Sequence, residues 1–129
     1  MDKLNASIVT PYGEIFSGQV ETITLPGKDG EFGVYSGHEN LLSLLKAGVI
    51  EIAGDGKRGL IAIDWGYAEI TSSKVDVIVN GAVAIGGTAG KELADAIASA
   101  KQLLQEASDD KIAMGNVISR IESSTKSKI

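Results

Sequence analysis

The sequence contains no cysteine and only one histidine in 129 residues. The lack of cysteine excludes disulfide bonds, thiolate nucleophiles and sulfur-ligated metals. A zinc or iron site needs several imidazole or thiolate ligands, and His38 is the only imidazole in the chain. A Ser-His-Asp relay would likewise have to be built around this single residue. We therefore expect no cofactor, no metal site and no catalytic residue.

The chain also lacks an excess of positive charge and any long apolar run. Its formal net charge is −5, which argues against nucleic-acid binding because a basic surface is needed to neutralise phosphates. No apolar run approaches the roughly 18 residues of a membrane span, and the first residues lack the pattern of a secretory signal. These features predict an intracellular protein without direct membrane insertion, which would meet a membrane only through a partner.

Glycine divides the sequence into two parts. Fourteen of the 16 glycines and both prolines fall in residues 1–87, where short alternating or β-branched apolar runs are bounded by turn residues. Such runs are typical of antiparallel strands, and we predict an antiparallel β-sandwich of eight to ten short strands. This part also holds 11 acidic and 6 basic residues, against 6 of each in residues 88–129. The net negative charge therefore belongs to the sandwich.

From Thr88 onward the apolar spacing changes to that of a helix. A first stripe, spaced by four, three and four residues, is formed by Leu93, Ile97, Ala100 and Leu104. A second stripe is formed by Met114, Val117, Ile118 and Ile121. We therefore predict that residues 88–129 form an antiparallel two-helix hairpin. The second helix contains Gly115 and Asn116 and is marginal in water, so we expect it to need a surface to pack on and the hairpin to be detachable.

Gly86, Gly87 and Thr88 join the two parts. The backbone N–H groups at the start of a helix can bind an anion, but two glycines between two architectures favour a hinge.

The stretch GEFGVYSGHENLLSLLK, residues 30–46, departs from the rhythm of strands and turns on either side. Gly30, Gly33 and Gly37 permit positive φ or a close approach to another surface. The stretch is therefore either a contact surface or a turn with a bulge, and residue types alone leave both open. His38 with a neighbouring carboxylate would give an acid/base pair, but a lone histidine in a glycine-flanked loop is more often a surface contact.

Trp65 and Tyr67 flank Gly66, so both aromatic side chains should point to the same face of a strand. We interpret them as core residues, which is the usual place of large aromatic side chains.

Several of these motifs together resemble the epsilon subunit of bacterial F-type ATP synthase. The resemblance is carried by Gly30-Glu31-Phe32-Gly33-Val34-Tyr35-Ser36-Gly37-His38, by Leu41-Leu42, Lys46 and Gly48-Val49-Ile50, by Gly66 and Glu69, and by the early Ile15-Phe16-Ser17-Gly18. It covers nearly the whole chain. It implies a non-catalytic subunit of the rotating central stalk, at the cytoplasmic face of the bacterial inner membrane, bound to the gamma subunit and to the ring of c subunits.

The resemblance also implies roles for individual residues. The c-ring interface would consist of Lys28, Asp29, Gly30, Glu31 and Phe32. The gamma interface would include Thr10, His38, Leu41 and Leu42. The regulatory hairpin can extend toward the alpha/beta catalytic hexamer and inhibit ATP hydrolysis, and its basic residues that lie clearly within helices are Lys101, Lys111 and Arg120.

The chain departs from the family pattern at two places. Asn40 stands where family members usually carry proline, so this loop is expected to be less rigid. Family members that bind ATP carry an Asp-x-x-Arg-Ala string entering the first helix, whereas residues 89–94 here read AGKELA. Since a bidentate phosphate clamp needs arginine, we predict no tight ATP binding.

Two alternatives remain open from the residues alone. A free-standing β-sandwich could bind a small ligand, with the hairpin as a dimerisation element. A hydrolase using His38 would require turnover by the isolated chain.

Overall fold

A computed structural model describes residues 3–54, 56–85 and 91–107 of the chain. The elements are β1 (Leu4–Thr10), β2 (Gly13–Val20), β3 (Thr22–Gly27), β4 (Gly30–Tyr35), β5 (Leu41–Leu45), β6 (Gly48–Gly54), β7 (Lys57–Ile63), β8 (Gly66–Ile70), β9 (Lys74–Val79), β10 (Ala82–Ile85) and α1 (Lys91–Ala107). Ten strands confirm the upper end of the predicted range of eight to ten.

The strands form one hydrogen-bonded sheet that folds over on itself. Their order is β10-β7-β6-β3-β5-β8-β9-β1-β2, with β4 paired to β3. The link between β3 and β5 is the single residue pair Gly27 with Leu45, so the sheet divides there into two layers. We call β4-β3-β6-β7-β10 layer A and β5-β8-β9-β1-β2 layer B. The described pairs are antiparallel, except that β1 runs parallel to β9.

The main core lies between the two layers. Leu4, Ala6 and Ile8 of β1 are buried at alternate positions, because one face of β1 points inward and the next residue points to solvent. The same alternation buries Val75, Val77 and Val79 of β9. Layer A contributes Ile23 and Leu25 of β3, Val34 of β4, Ile50 of β6, and Ile61 and Ile63 of β7. The predicted sandwich of two packed sheets is therefore confirmed.

Helix α1 covers the outer face of layer A. A second apolar cluster joins Ala47, Val49, Leu60, Ala62 and Ile85 to Ala100 and Leu104 of α1. Layer A is thus buried on both faces, which explains why β6 and β7 contain continuous apolar runs rather than alternating ones. The order of layers is α1, layer A and layer B.

Of the remaining predictions, one is confirmed and the others concern residues that lie outside the described part of the chain. The first helix is confirmed, and its stripe of Ile97, Ala100 and Leu104 packs on layer A. The second helix, the hinge residues Gly86, Gly87 and Thr88, and the hairpin residues Lys111 and Arg120 lie outside the described residues, so the division at residue 87 stays a prediction. Helix α1 is too short and too polar to cross a membrane, and no other helix is among the residues described.

Candidate functional site

The outer face of layer B exposes apolar side chains where an uncovered sheet normally carries polar ones. In β8 the residues alternate between buried and exposed, and the exposed positions include an aromatic residue. The exposed fractions are 67% for Leu42, 60% for Leu44, 59% for Trp65, 41% for Tyr67 and 40% for Ile78. We call these five residues the open face. Helix α1 leaves them uncovered because it packs on β10 and β7 of layer A.

The strand register places three residues of the open face in one row. Leu44 of β5 pairs with Tyr67 of β8, and Tyr67 pairs with Ile78 of β9. Directly paired residues have Cβ atoms about 5 Å apart, so the row is a continuous apolar ridge across three strands.

The neighbouring row on the same face is mixed. Leu42 pairs with Glu69, and Glu69 pairs with Asp76. The Asp76 carboxylate is 3.1 Å from the Lys74 Nζ atom, which offsets the repulsion between the two directly opposed acids. The apolar ridge is therefore bordered by charge.

Gly66 explains why Trp65 and Tyr67 point outward. A Cβ atom on Gly66 would lie 2.2 Å from the Ile78 carbonyl oxygen and 2.8 Å from the Val79 Cα atom. Position 66 therefore has no room for a side chain, and because residues alternate along a strand, the residues on either side of it face solvent. The interpretation of Trp65 and Tyr67 as core residues was wrong, because alternation placed them on one face without indicating that this face is the outer one.

The residues predicted for the gamma interface lie along the open face rather than in one cluster. Thr10 is the last residue of β1 and follows the residue that pairs with Ile78. Its Oγ1 atom accepts a hydrogen bond from the Tyr12 N–H at 3.1 Å. His38 lies at the other end, because the adjacent Gly37 N–H donates to the Ser72 carbonyl in the β8–β9 turn at 2.7 Å. These two ends are roughly 20 Å apart along the strands, at about 3.3 Å per residue.

The two leucines of that predicted set point in different directions. Leu42 belongs to the open face, whereas Leu41 is the next residue of the strand and points to the opposite side of the sheet, with 42% of its surface exposed. Tyr12, which the sequence did not single out, is 95% exposed in the β1–β2 turn beside Thr10.

The residues predicted for the c-ring interface form the β3–β4 turn and the start of β4. Lys28, Asp29, Gly30 and Glu31 are exposed, while Phe32 is half-buried against the main core. The Lys28 N–H donates to the Leu44 carbonyl at 2.9 Å, so this turn borders the apolar ridge. The β3–β4 turn therefore lies at the same end of layer B as Thr10, whereas His38 lies at the opposite end.

The stretch of residues 30–46 contains a turn but no bulge, because β3 and β4 pair without a register shift, and its role as a contact surface stays a prediction. It contains β4 and β5, and its positive-φ glycines Gly30 and Gly37 have φ values of 138° and 89°. Its strand β5 also supplies two members of the open face.

The described residues suit binding better than catalysis. The His38 Nδ1 atom lies 2.7 Å from the Glu39 backbone carbonyl oxygen, so in this contact the ring donates to a carbonyl and does not pair with a carboxylate. Residues 3–54, 56–85 and 91–107 contain no group of three His, Cys, Asp or Glu side chains placed to hold a metal ion. Lys101 is half-buried on α1, and this helix packs on layer A rather than on the open face.

Comparison with known proteins gives consistent matches over the whole chain. The family model of the ATP synthase delta/epsilon chain beta-sandwich domain matches residues 3–85. The ATP synthase epsilon chain of Helicobacter hepaticus is 53% identical over 130 residues, covering 100% of this chain and 99% of that protein. The ATP synthase epsilon chain of Wolinella succinogenes is 51% identical with the same coverage.

Solved structures share the fold. One chain of the Euglena gracilis mitochondrial ATP synthase, in a structure of OSCP, F1 and c-ring in rotational state 1, has a TM-score of 0.61 and 25% identity, covering 90% of this chain and 74% of that one. A chain of the central stalk and c-ring of the Tetrahymena thermophila mitochondrial ATP synthase has a TM-score of 0.55 over 82% of this chain and 96% of that one. At 17% identity, the second likeness shows the fold alone.

Proposed function

The chain belongs to the ATP synthase delta/epsilon family, and from this we propose that it is the epsilon subunit of a bacterial F-type ATP synthase, joining the gamma subunit to the c-ring in the central stalk. It catalyses no step itself. Its role is mechanical, because rotation driven by protons must pass through a rigid part held by two partners. The corresponding location is the cytoplasmic face of the inner membrane, where the chain is held by its partners.

The open face is the observation that carries this proposal. Five large apolar side chains on an uncovered sheet face are a recognised mark of a protein interface, and aromatic residues such as Trp65 and Tyr67 often dominate binding energy. We assign this face to the gamma subunit. Thr10 and His38 at its two ends, and Leu42 within it, would be contacts along its length, whereas Leu41 would contribute only at the edge.

The exposed β3–β4 turn is assigned to the c-ring. Its residues Lys28, Asp29 and Glu31 are charged and exposed, so they suit polar loops better than an apolar surface. Because the turn is hydrogen-bonded to Leu44 of the apolar ridge, the two partners would be held by one rigid region. We expect Glu31→Lys to weaken coupling, and unchanged proton pumping in reconstituted vesicles would contradict the assigned contact.

A binding experiment separates this proposal from a free-standing ligand-binding module. The full chain is mixed with the gamma subunit of the same organism and analysed by size-exclusion chromatography. We expect co-elution of the unmodified chain and of Tyr35→Lys, which changes an exposed residue on layer A. Leu44→Lys should elute separately from gamma, because it places a charge in the apolar ridge. Separate elution of the unmodified chain would refute the proposal.

The part of the chain after residue 87 is proposed to regulate hydrolysis. If this part of the chain inhibits ATP hydrolysis, the assembled complex should hydrolyse ATP faster without residues 88–129 than with them. Equal rates would contradict that role. The prediction of no tight ATP binding is kept, since the matching residues 89–94 lack the aspartate and arginine. A micromolar dissociation constant for ATP by calorimetry would show it to be wrong.

A further inference from the structure

Asp64 is the only charged side chain among the buried residues that the structure describes, with 8% of its surface exposed. Its Oδ1 atom accepts hydrogen bonds from the Trp65 N–H at 2.7 Å and from the Gly81 N–H at 2.8 Å. Its Oδ2 atom accepts one from the Asn80 Nδ2 atom at 2.7 Å. All three donors therefore converge on one carboxylate, which offsets the cost of burying it.

These bonds join two corners of the sandwich. Asp64 and Trp65 form the corner between β7 and β8, whereas Asn80 and Gly81 form the corner between β9 and β10. Backbone bonds reinforce the junction, from the Asp64 N–H to the Gly81 carbonyl at 3.3 Å and from the Asn80 N–H to the Trp65 carbonyl at 3.0 Å. The peptide groups on both sides of Trp65 are thus held.

The site is also closely packed. A Cβ atom on Gly81 would lie 3.0 Å from Asp64 Oδ2 and 3.3 Å from the Leu103 Cδ1 atom of α1. A side chain at position 81 would therefore crowd both the carboxylate and the helix.

We propose that Asp64 is a positioning residue for partner binding: its carboxylate ties the two corners together and so fixes Trp65 in the orientation in which its ring is presented on the open face. The inference rests on the proposed function, because it assigns Trp65 as a contact of the gamma subunit. The Trp65 side chain makes none of these hydrogen bonds and is 59% exposed, so its placement depends on its backbone.

The carboxylate accepts at both oxygens and makes charge-assisted bonds with all three donors. In Asp64→Asn, the amide oxygen can still accept from the two backbone N–H groups, but the Asn80 side chain must turn over before its oxygen can accept from the new amide nitrogen, and every bond at residue 64 loses its charge. Adding Asn80→Asp to the same chain restores a bond between an amide and a carboxylate, with residue 64 now the donor and residue 80 the acceptor. The swapped pair Asp64→Asn with Asn80→Asp is therefore a matched rescue variant.

The test measures the dissociation constant for gamma by calorimetry. We expect Asp64→Asn to weaken binding about tenfold, since an aromatic anchor at an interface commonly carries more than that factor. The swapped pair should return to within about threefold of the unmodified chain. Asn80→Ala, which removes the bond to Oδ2 but keeps the carboxylate and its two backbone donors, should also weaken binding and provides a second measurement if Asp64→Asn folds poorly. Unchanged affinity in both single variants would overturn the proposal.

A second comparison asks whether Asp64 acts through Trp65. In a chain that already carries Trp65→Ala, the Asp64→Asn change should have little further effect on the affinity for gamma. The same loss in both backgrounds would show that Asp64 affects binding by another route, and would overturn the proposal.

A third measurement does not depend on gamma. Trp65 is the only tryptophan in the chain, so the decay of fluorescence anisotropy reports its local motion directly. We expect more local motion in Asp64→Asn and a return to the original value in the swapped pair. If the unmodified chain fails to bind gamma while this pattern is seen, the proposed function fails and the positioning role stands. Identical decays in all three chains would refute the positioning role.

Discussion

Replacing Tyr67 by threonine should weaken binding of the gamma subunit by several-fold to about sixtyfold while leaving the sandwich folded. Tyr67 occupies the middle of the apolar ridge, between Leu44 and Ile78. Threonine is β-branched and, like tyrosine, is favoured at strand positions, so the change removes the aromatic ring without disfavouring the strand.

The magnitude follows from the part of Tyr67 that is still exposed. An aromatic side chain buries about 150–250 Å² when fully covered, and 41% of Tyr67 remains exposed. Docking would therefore cover roughly 60–100 Å², worth about 1.5–2.5 kcal/mol at about 25 cal/mol per Å². The entropic cost of association is similar for the unmodified chain and for Tyr67→Thr, so it largely cancels from the difference in their binding free energies. Threonine keeps part of this contact area, so the expected loss in affinity ranges from several-fold to about sixtyfold.

The assay is calorimetric titration of gamma into each chain, with thermal melting to show that both are folded at the titration temperature. Tyr35→Thr is the matched control, because Tyr35 is also an exposed strand tyrosine, at 57%, but belongs to β4 of layer A. We expect the control to bind like the unmodified chain. Equal affinities for all three chains, or an equal loss for Tyr35→Thr and Tyr67→Thr, would refute the assignment of the open face to gamma.

Three further changes examine the fold. Ile23→Ala removes a fully buried side chain between the layers and should lower the free energy of unfolding in urea by about 2–5 kcal/mol; a loss below about 1 kcal/mol would contradict the assigned core. Gly66→Ala should lower the melting temperature far more than Gly18→Ala, since a Cβ atom at Gly66 meets backbone within 3 Å and one at Gly18 meets only the Phe16 ring at 3.4 Å, and equal shifts would count against the close approach of β8 and β9. Leu104→Ala should speed hydrogen exchange in α1 but not in the strands, whereas uniform acceleration would show that the helix does not detach separately.

Alternation predicted the strands of layer B well because this layer is buried on one face only. Leu4, Ala6 and Ile8 in β1 and the three valines of β9 lie at every second position, and all of them are in the core. The first helical stripe was predicted for the same reason, because α1 also has one buried face. A single buried face produces a clear period in the sequence.

The position of α1 and the open face could not be derived in the same way. Continuous apolar runs such as Leu60 to Ile63 indicate a strand buried on both faces, but they do not say which element covers the second one. Trp65 and Tyr67 were assigned to the core for a related reason, because an apolar face that binds a partner has the same residue pattern as one that packs on the core. Leu44 and Ile78 were missed on that account. The signal was present in β5 and β9, where apolar residues occupy the outward positions as well as the inward ones.

The order of the layers constrains how the helical part could regulate the complex. If α1 leaves layer A, the large side chains of Val49, Leu60, Ile85 and Leu104 lose their cover, which costs roughly 6–12 kcal/mol at about 1.5–3 kcal/mol each. That is comparable to the whole stability of a domain of this size, and a helix that stays helical regains little conformational entropy in return. An extended α1 therefore needs another apolar surface, which in the proposed function is supplied by the catalytic hexamer. A chain lacking residues 88–129 likewise leaves Val49, Leu60 and Ile85 of layer A uncovered, which favours aggregation, so the hydrolysis comparison should be made on assembled complexes.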